Sequence, residues 1–349
     1  MDNASTLDDV RRYYGAVLQS SEDLKTGACC PVEAMPAALR VLLDDIHPEV
    51  KDRFYGCGSP LPPALDGCTV LDLGCGSGRD VYLASRLVGE RGRVIGVDMT
   101  PEQLAVARRH QDWHTRRYAH AHSNVEFRDG MIEDLAGAGI ADGSIDVVVS
   151  NCVLNLSPDK SRVFAEIFRV LKPGGELFFS DVFADRRIPD ALRRDPVLLG
   201  ECLGGALYGE DFRRLLADIG CADARTVSQS PIPLLDPGIE AKIGMVGFRS
   251  ITVRAFKLAL EDRCEDYGQV ATYLGGISDG GDSAHGFVLD DHHRFEAGRP
   301  MLVCGNTADM LAATRYAPYF RIAGDKTTHY GLFDCGPALV AATGAASCC

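Results

Sequence analysis

The stretch Thr69-Val70-Leu71-Asp72-Leu73-Gly74-Cys75-Gly76-Ser77-Gly78-Arg79-Asp80 decides how the rest of the chain is read. Its first five residues form the short apolar run of a buried parallel strand. Three glycines follow at once, and Val81-Tyr82-Leu83-Ala84 then opens a helical pattern. Strand, tight turn and helix start in this order make a ligand cradle. Glycine permits positive φ and close approach to the backbone, and the helix start presents free N–H groups. The spacing is G-x-G-x-G rather than the G-x-G-x-x-G of dinucleotide sites, so adenosine without a pyrophosphate is the better fit. The next strand, Arg93-Val94-Ile95-Gly96-Val97-Asp98, ends in an acid placed to accept hydrogen bonds from ribose hydroxyls.

The 349 residues allow two or three domains, and a formal net charge of −13 argues against binding along nucleic acid or an anionic membrane. A small-molecule partner is expected instead. The N-terminal residues carry acids and no apolar leader, and no run of about 18 apolar residues occurs, so the expected location is the cytoplasm. Thirteen cysteines, an odd number without a signal peptide, point to thiols rather than a secreted disulfide framework.

In chain order, an amphipathic helix over 5–18 precedes a polar loop ending in Cys29-Cys30-Pro31, and a further helix covers 36–46. Alternation begins after a Gly/Pro-rich connector: strands at 69–73, 93–98, 124–128, 145–150 and 176–181, with helices at 79–89, 101–118, 132–139 and 159–171 between them. Strands alternating with helices give a mainly parallel sheet with right-handed crossovers. Helices at 189–200 and 209–219 and a strand-like stretch at 223–235 follow, then β-rich pieces and a helix at 307–313. Four parts are expected: 1–65, a helical segment with a cysteine lid; 66–185, the cofactor-binding domain; 186–250, a segment completing the sheet; and 251–349, a small C-terminal domain with a frayed tail.

The cysteines show no C-x2-C pair and no histidine cluster, which gives a tetrahedral zinc site little support. Four stand in loops or at strand ends: Cys29, Cys57 between glycines, Cys152 after the fourth strand and Cys202 before Gly204-Gly205. Cys75 lies inside the glycine turn, and Cys221, Cys264, Cys304 and Cys335 have no distinctive surroundings. Ligands in open α/β sheets bind outside the carboxyl ends of strands, so Cys152 faces the cofactor, and soft thiolates select thiophilic ions.

The glycine turn with Asp98 resembles the S-adenosylmethionine site of class I methyltransferases. The fold this implies is α/β: a Rossmann-like, mainly parallel seven-stranded sheet with a smaller α+β C-terminal domain. Further motifs, from Tyr13-Tyr14-Gly15 to about Thr252, resemble the arsenic(III) S-adenosylmethionine methyltransferase family: Asp23-Leu24-Lys25-Thr26…Cys29, Phe54-Tyr55-Gly56-Cys57-Gly58, Ser150-Asn151-Cys152-Val153-Leu154-Asn155-Leu156 and Gly200-Glu201-Cys202-Leu203-Gly204-Gly205-Ala206-Leu207-Tyr208. The resemblance implies four functional thiols, with arsenic held by Cys152 and Cys202 and by Cys57 as third ligand. Cys29 is then the lid thiol for the first methylation and for a disulfide relay such as Cys29–Cys57. Cys30 stands beside it, and which of the two acts is open; the spacing from Asp23-Leu24 favours Cys29.

For the cofactor the resemblance implies Asp98 at the ribose and Asp72, Gly74, Gly76, Ser77 and Arg79 along the methionine and ribose side. Met99 packs on adenine, Ile132 and Glu133 hold its edge, Tyr55 covers the cofactor, and Asn151 joins the set. Arsenite, methylarsenite or their glutathione conjugates are the expected substrates, with glutathione or thioredoxin as reductant. Two rivals stand beside this reading: a methyltransferase of a small organic substrate, and a thiol-rich metalloid-binding protein without enzymatic activity.

Overall fold

The computed structural model describes residues 37–54, 56, 60–193, 195–200, 202–234, 236–277 and 285–336, together with Arg11 and Met35. The expected first helix, Cys29, Cys30, Tyr55, Cys57 and the Cys348-Cys349 tail lie outside the described residues.

Ahead of the sheet stand two short helices, α1 (Ala37–Leu42) and α2 (Pro48–Asp52). The alternating region follows as β1 (Thr69–Leu73), α3 (Arg79–Val88), β2 (Arg93–Asp98), α4 (Pro101–Arg109), α5 (Gln111–Arg117), β3 (Val125–Asp129), β4 (Ile145–Asn151), α6 (Lys160–Val170) and β5 (Leu171–Ala184). Then come α7 (Asp190–Arg193), α8 (Pro196–Gly200), β6 (Leu207–Tyr208), α9 (Gly209–Asp218), β7 (Ala224–Pro231), α10 (Pro237–Ile243) and β8 (Phe248–Phe256). The main sheet runs β3-β2-β1-β4-β5-β8-β7, with β1 to β5 parallel and β8 antiparallel to both its neighbours. This seven-strand path is the expected one. An eighth strand, the two-residue β6, pairs with the end of β5.

Side chains alternate across the sheet, as a pleated strand requires. Val147 and Val149 join the layer of α3 and α4, while Val148 joins the layer of α6 with Phe164 and Ile167. With both faces covered, the strands are apolar almost throughout. The register pairs Leu73 with Val97 and Ser150, and Asn151 with Ser180, so the carboxyl ends of four central strands open on one edge.

Several expected elements take another form, each for a local reason. The helix over 101–118 breaks at His110, whose ring stacks on His47 at 3.7 Å and whose Nε2 lies 2.6 Å from Glu49 of α2. The helix expected over 132–139 is a run of turns. Asp134 accepts the Gly137 amide at 3.0 Å and Glu166 that of Ala136 at 3.1 Å, taking donors a helix would need. The helix over 189–200 divides because Asp195 accepts the amides of Val197 and Leu198, capping a new start. Finally, a domain border at 250 falls inside β8, which is an interior strand of the main sheet.

Beyond Phe256 a smaller α+β unit contains a three-stranded antiparallel sheet, Pro300–Val303 with Gln269–Tyr273 and Phe320–Ala323, and the helix α11 (Gly305–Ala312). Its core gathers Phe256, Tyr273, Phe287, Phe295 and Tyr316. One buried carboxylate fastens this unit to the sheet. Glu176 of β5 is fully buried and meets Arg254 of β8, Arg315 and the Tyr316 hydroxyl, which donates at 3.0 Å. Burial pushes Glu176 toward the neutral form, but the two guanidiniums outweigh it and hold the carboxyl below its ordinary range. Replacing Glu176→Gln leaves one buried and one largely covered cation facing a neutral amide. The expected loss is about 3–5 kcal/mol of stability, read by urea unfolding followed by circular dichroism.

Candidate active site

The glycine turn between β1 and α3 is left-handed at all three glycines, with φ of 69° at Gly74, 52° at Gly76 and 90° at Gly78. At Gly74 space is also decisive, because an added Cβ would lie 2.4 Å from the Val153 side chain. The amides of Gly74 and Cys75 both donate to the Val97 carbonyl, at 2.8 and 3.1 Å, which fastens the turn to the end of β2. There Asp98 completes the clasp: one carboxylate oxygen accepts the Gly76 amide at 2.8 Å and the other accepts the Thr100 amide at 2.8 Å. Burial pushes the Asp98 carboxyl up, and these backbone donors pull it partly back.

Above this floor lies a cavity of about 940 Å³, counting its open mouth. It is lined by nine of the residues expected at the cofactor: Asp72, Gly74, Gly76, Ser77, Asp98, Met99, Ile132, Glu133 and Asn151. Arg79 is placed differently. Its guanidinium lies 3.1 Å from the Phe54 ring centroid, and Nε donates to Asp80 at 2.8 Å, so it braces the wall from behind. Ser77 lines the cavity, while its hydroxyl donates to the carbonyls of Val50 at 2.9 Å and Arg53 at 3.2 Å. Tyr55 falls outside the described residues. The turns at 131–138 place Ile132 and Glu133 on the wall, where one Glu133 oxygen pairs with the Ser157 hydroxyl. The other, Oε2, is buried and has no hydrogen-bond partner among the described residues.

Asp80, Thr100, Gln103 and Phe54 also line the cavity and were missed as site residues. Asp80 alone carried a local signal, standing in the first turn of the helix that follows the glycines. It accepts the Asn151 amide at 2.9 Å and so couples α3 to the end of β4. With Asp72, Asp98 and Glu133 it makes the chamber acidic. Burial, then repulsion from Asp80 and Asp98, pushes the Asp72 carboxyl well above its ordinary range. Such a chamber disfavours a pyrophosphate and favours an adenosine that carries positive charge.

Cys152 stands on the cavity wall at the end of β4, and Cys202 approaches from the segment after α8. The Cys202 thiol donates to the Cys152 carbonyl at 3.2 Å, and the two residues are only 5% and 6% exposed. Both have left-handed backbones, with φ of 56° and 60°, a conformation that costs an L-residue roughly 1–2 kcal/mol. Cys152 is half of a disulfide.

The approach of the two segments depends on Gly205, where an added Cβ would lie 2.0 Å from the Asn155 carbonyl oxygen. Asn155 is anchored in turn, its side-chain amide donating to Asp181 and to the Val182 carbonyl, each at 2.6 Å. Lys160 donates to the carbonyls of Asn155 and Ser157, and burial brings its ammonium down to about 8. Its field is shared by Asp181, Cys202 and Glu133. By contrast Cys75 is inert: burial, Asp98 and Asp72 push its thiol well up. The structure thus brings together two of the four expected cysteines, and Cys29 and Cys57 lie outside the described residues. Among those residues, His47, Glu49 and His110 form a cluster with metal-ligand spacing; none of them lines the cavity, and ring stacking and the Glu49–Arg109 pair account for it.

Comparison with known proteins agrees with this geometry. A family model described as a methyltransferase domain matches residues 64–220. An arsenite methyltransferase from Aquipseudomonas alcaligenes is 56% identical over 98% of this chain and 99% of its own length. The human arsenite methyltransferase is 43% identical over 92% of this chain and 84% of its own. A crystal structure of an arsenic(III) S-adenosylmethionine methyltransferase from Chlamydomonas reinhardtii superposes with a TM-score of 0.82 at 51% identity, covering 86% of this chain and all but 1% of its own. With that extent of identity, and with a glycine turn, an acidic chamber and two apposed cysteines in one fold, the chain belongs to the arsenite methyltransferase family.

Proposed function

We propose that this chain transfers methyl groups from S-adenosylmethionine to arsenic(III) held by its own thiolates, giving methyl- and dimethylarsenicals. The observation that carries the reading is the apposition of Cys202 to Cys152, which lines an acidic chamber built on the glycine turn.

S-adenosylmethionine supplies an electrophilic methyl on a sulfonium centre. The donor set suits it. Asp98 keeps acceptor capacity for the ribose beyond its Gly76 and Thr100 donors, and the unpartnered Glu133 oxygen is an acceptor for the adenine amino edge. Met99 and Ile132 supply apolar contact, and Asp72 and Asp80 suit the ammonium of the amino-acid end. Tyr55 is assigned the cover over the cofactor.

On the substrate side, thiolates of Cys152, Cys202 and Cys57 displace oxygen or glutathione ligands from arsenic. The ligands must be deprotonated, so binding releases protons and weakens in acid. The arsenic lone pair is the nucleophile, and no protein base is needed. What the protein contributes is alignment of that lone pair with the methyl–sulfur bond, which makes the encounter effectively unimolecular. Transfer takes arsenic formally to the pentavalent state. A pair of protein thiols, with Cys29–Cys57 as our assignment, returns it to the trivalent state by closing a disulfide. Glutathione or thioredoxin, the thiol systems of the cytoplasm, then reopens that disulfide.

Methylarsenite has two exchangeable ligands where arsenite has three. Cys29→Ser is therefore expected to lose arsenite methylation and keep methylarsenite methylation, whereas Cys152→Ser and Cys202→Ser lose both. Speciated mass spectrometry of the products measures this, and full activity of Cys202→Ser on either substrate contradicts the assignment. A second expectation concerns Asp72. The native state holds the Asp72 proton to higher pH than the unfolded chain does, so this group costs the ligand-free protein stability as pH rises through that window. A bound cation favours the ionised carboxylate, so S-adenosylmethionine should bind more tightly as pH rises through the same window. Asp72→Asn is expected to flatten both profiles and to weaken S-adenosylmethionine binding at least about tenfold, measured by calorimetric titration and thermal melts.

A further inference from the structure

Three cysteines with undistinguished sequence surroundings, Cys264, Cys304 and Cys335, converge on the C-terminal unit. The Arg225 guanidinium reaches in from β7, one of its nitrogens lying 3.8 Å from the sulfurs of both Cys264 and Cys304. Asp223 and Asp290 fix that guanidinium through contacts of 2.6 and 3.1 Å. Pairing of Glu265–Asp266 with Gly331–Leu332 carries the third cysteine alongside, and the Phe333 amide donates to the Cys264 carbonyl at 2.8 Å. The Cys264 thiol lies beside both Cys304 and Cys335. Cys304 is buried and caps α11, accepting the Thr307 amide, while Cys264 and Cys335 are half-buried, so the cluster is reachable from solvent. All three are free thiols. None lines the methyl-transfer chamber.

Sulfurs supplied by separate elements, two of them beside one fixed guanidinium nitrogen, suit a soft trivalent centre better than a hard ion. We propose that Cys264, Cys304 and Cys335 form a second binding site for trivalent arsenicals. Cys264 and Cys304 close on a species with two exchangeable oxygens, and Cys335 supplies the third sulfur for arsenite. The exchange is redox-neutral. Two arsenic–oxygen bonds break, two arsenic–sulfur bonds form, and each thiol proton leaves with a hydroxide as water. An arsenical held there is out of reach of the methyl donor, so the site stores or senses substrate. The family reading above supports arsenic as the natural occupant, but the thiol geometry stands apart from the transfer site.

The test uses phenylarsine oxide, which bridges paired thiols, on the reduced full-length chain, with intact-mass counting of adducts and peptide mapping. Serine retains the helix cap at 304, so the double variant Cys264→Ser/Cys304→Ser is expected to fold. It should bind one phenylarsenic fewer than the unaltered chain and keep its initial rate of methyl transfer. In the unaltered chain, one adduct should map to a crosslink between the peptides carrying Cys264 and Cys304. The variant Cys152→Ser/Cys202→Ser should keep that crosslink while losing transfer, which separates this site from the catalytic reading. Equal adduct counts in the double variant and the unaltered chain, or no crosslink involving Cys264 and Cys304, overturn the proposal.

Discussion

The Asp98 carboxylate is the constraint from which the site is built. It closes β2, lies at the open edge of a parallel sheet, and takes one amide from the loop after β1 and one from the loop after β2. Two crossover loops are thereby fixed relative to each other before any ligand arrives. The residues that depend on those loops, from Asp72 and Gly76 through Met99 to Gln103, inherit a common frame. The cost is a group of acids crowded out of water, and the positive charge of the methyl donor is the natural counterweight to it.

Against this acidic floor the chain sets a soft, sulfur-bearing wall. Its construction is mostly backbone work. Cys152 follows a strand and Cys202 follows a short helix, and a glycine lets the second segment come up against Asn155. The left-handed backbone sets the direction of each Cα–Cβ bond, so each sulfur is confined to the arc that χ1 sweeps from it. Half-buried Lys160 and buried Asp181, with a hydrogen-bonded asparagine between them, tie this wall to the start of α6 and to β5.

What the sequence could and could not disclose follows from the range of each interaction. Gly74, Gly76, Asp98 and Cys152 were legible because strand, turn and strand end are local patterns. Cys202 was legible only through resemblance, since nothing around it announces that it meets Cys152. Asp80, Gln103 and the orientation of Arg79 were not legible, because the sheet brings them to or away from the chamber. The breaks at His110 and Asp195 come from single side chains that compete for contacts or amides within otherwise helical stretches. The place of β8 was lost for a different reason: an antiparallel strand late in the chain inserts between two earlier ones, and periodicity carries no record of such a partner. Cys264, Cys304 and Cys335 are 40 and 31 residues apart in succession, and only the turns of the C-terminal unit make them neighbours.

The clasp at Glu176 has a consequence for how the molecule comes apart. Arg315 and Tyr316 belong to the C-terminal unit, yet they neutralise a carboxylate sealed inside the sheet that carries the chemistry. Opening that unit alone would strand a charge in an apolar interior, which makes partial melting more costly than its own modest core suggests. The two regions therefore behave as one cooperative unit. The last eighty residues of the described chain set the temperature at which the methyl-transfer chamber itself dissolves.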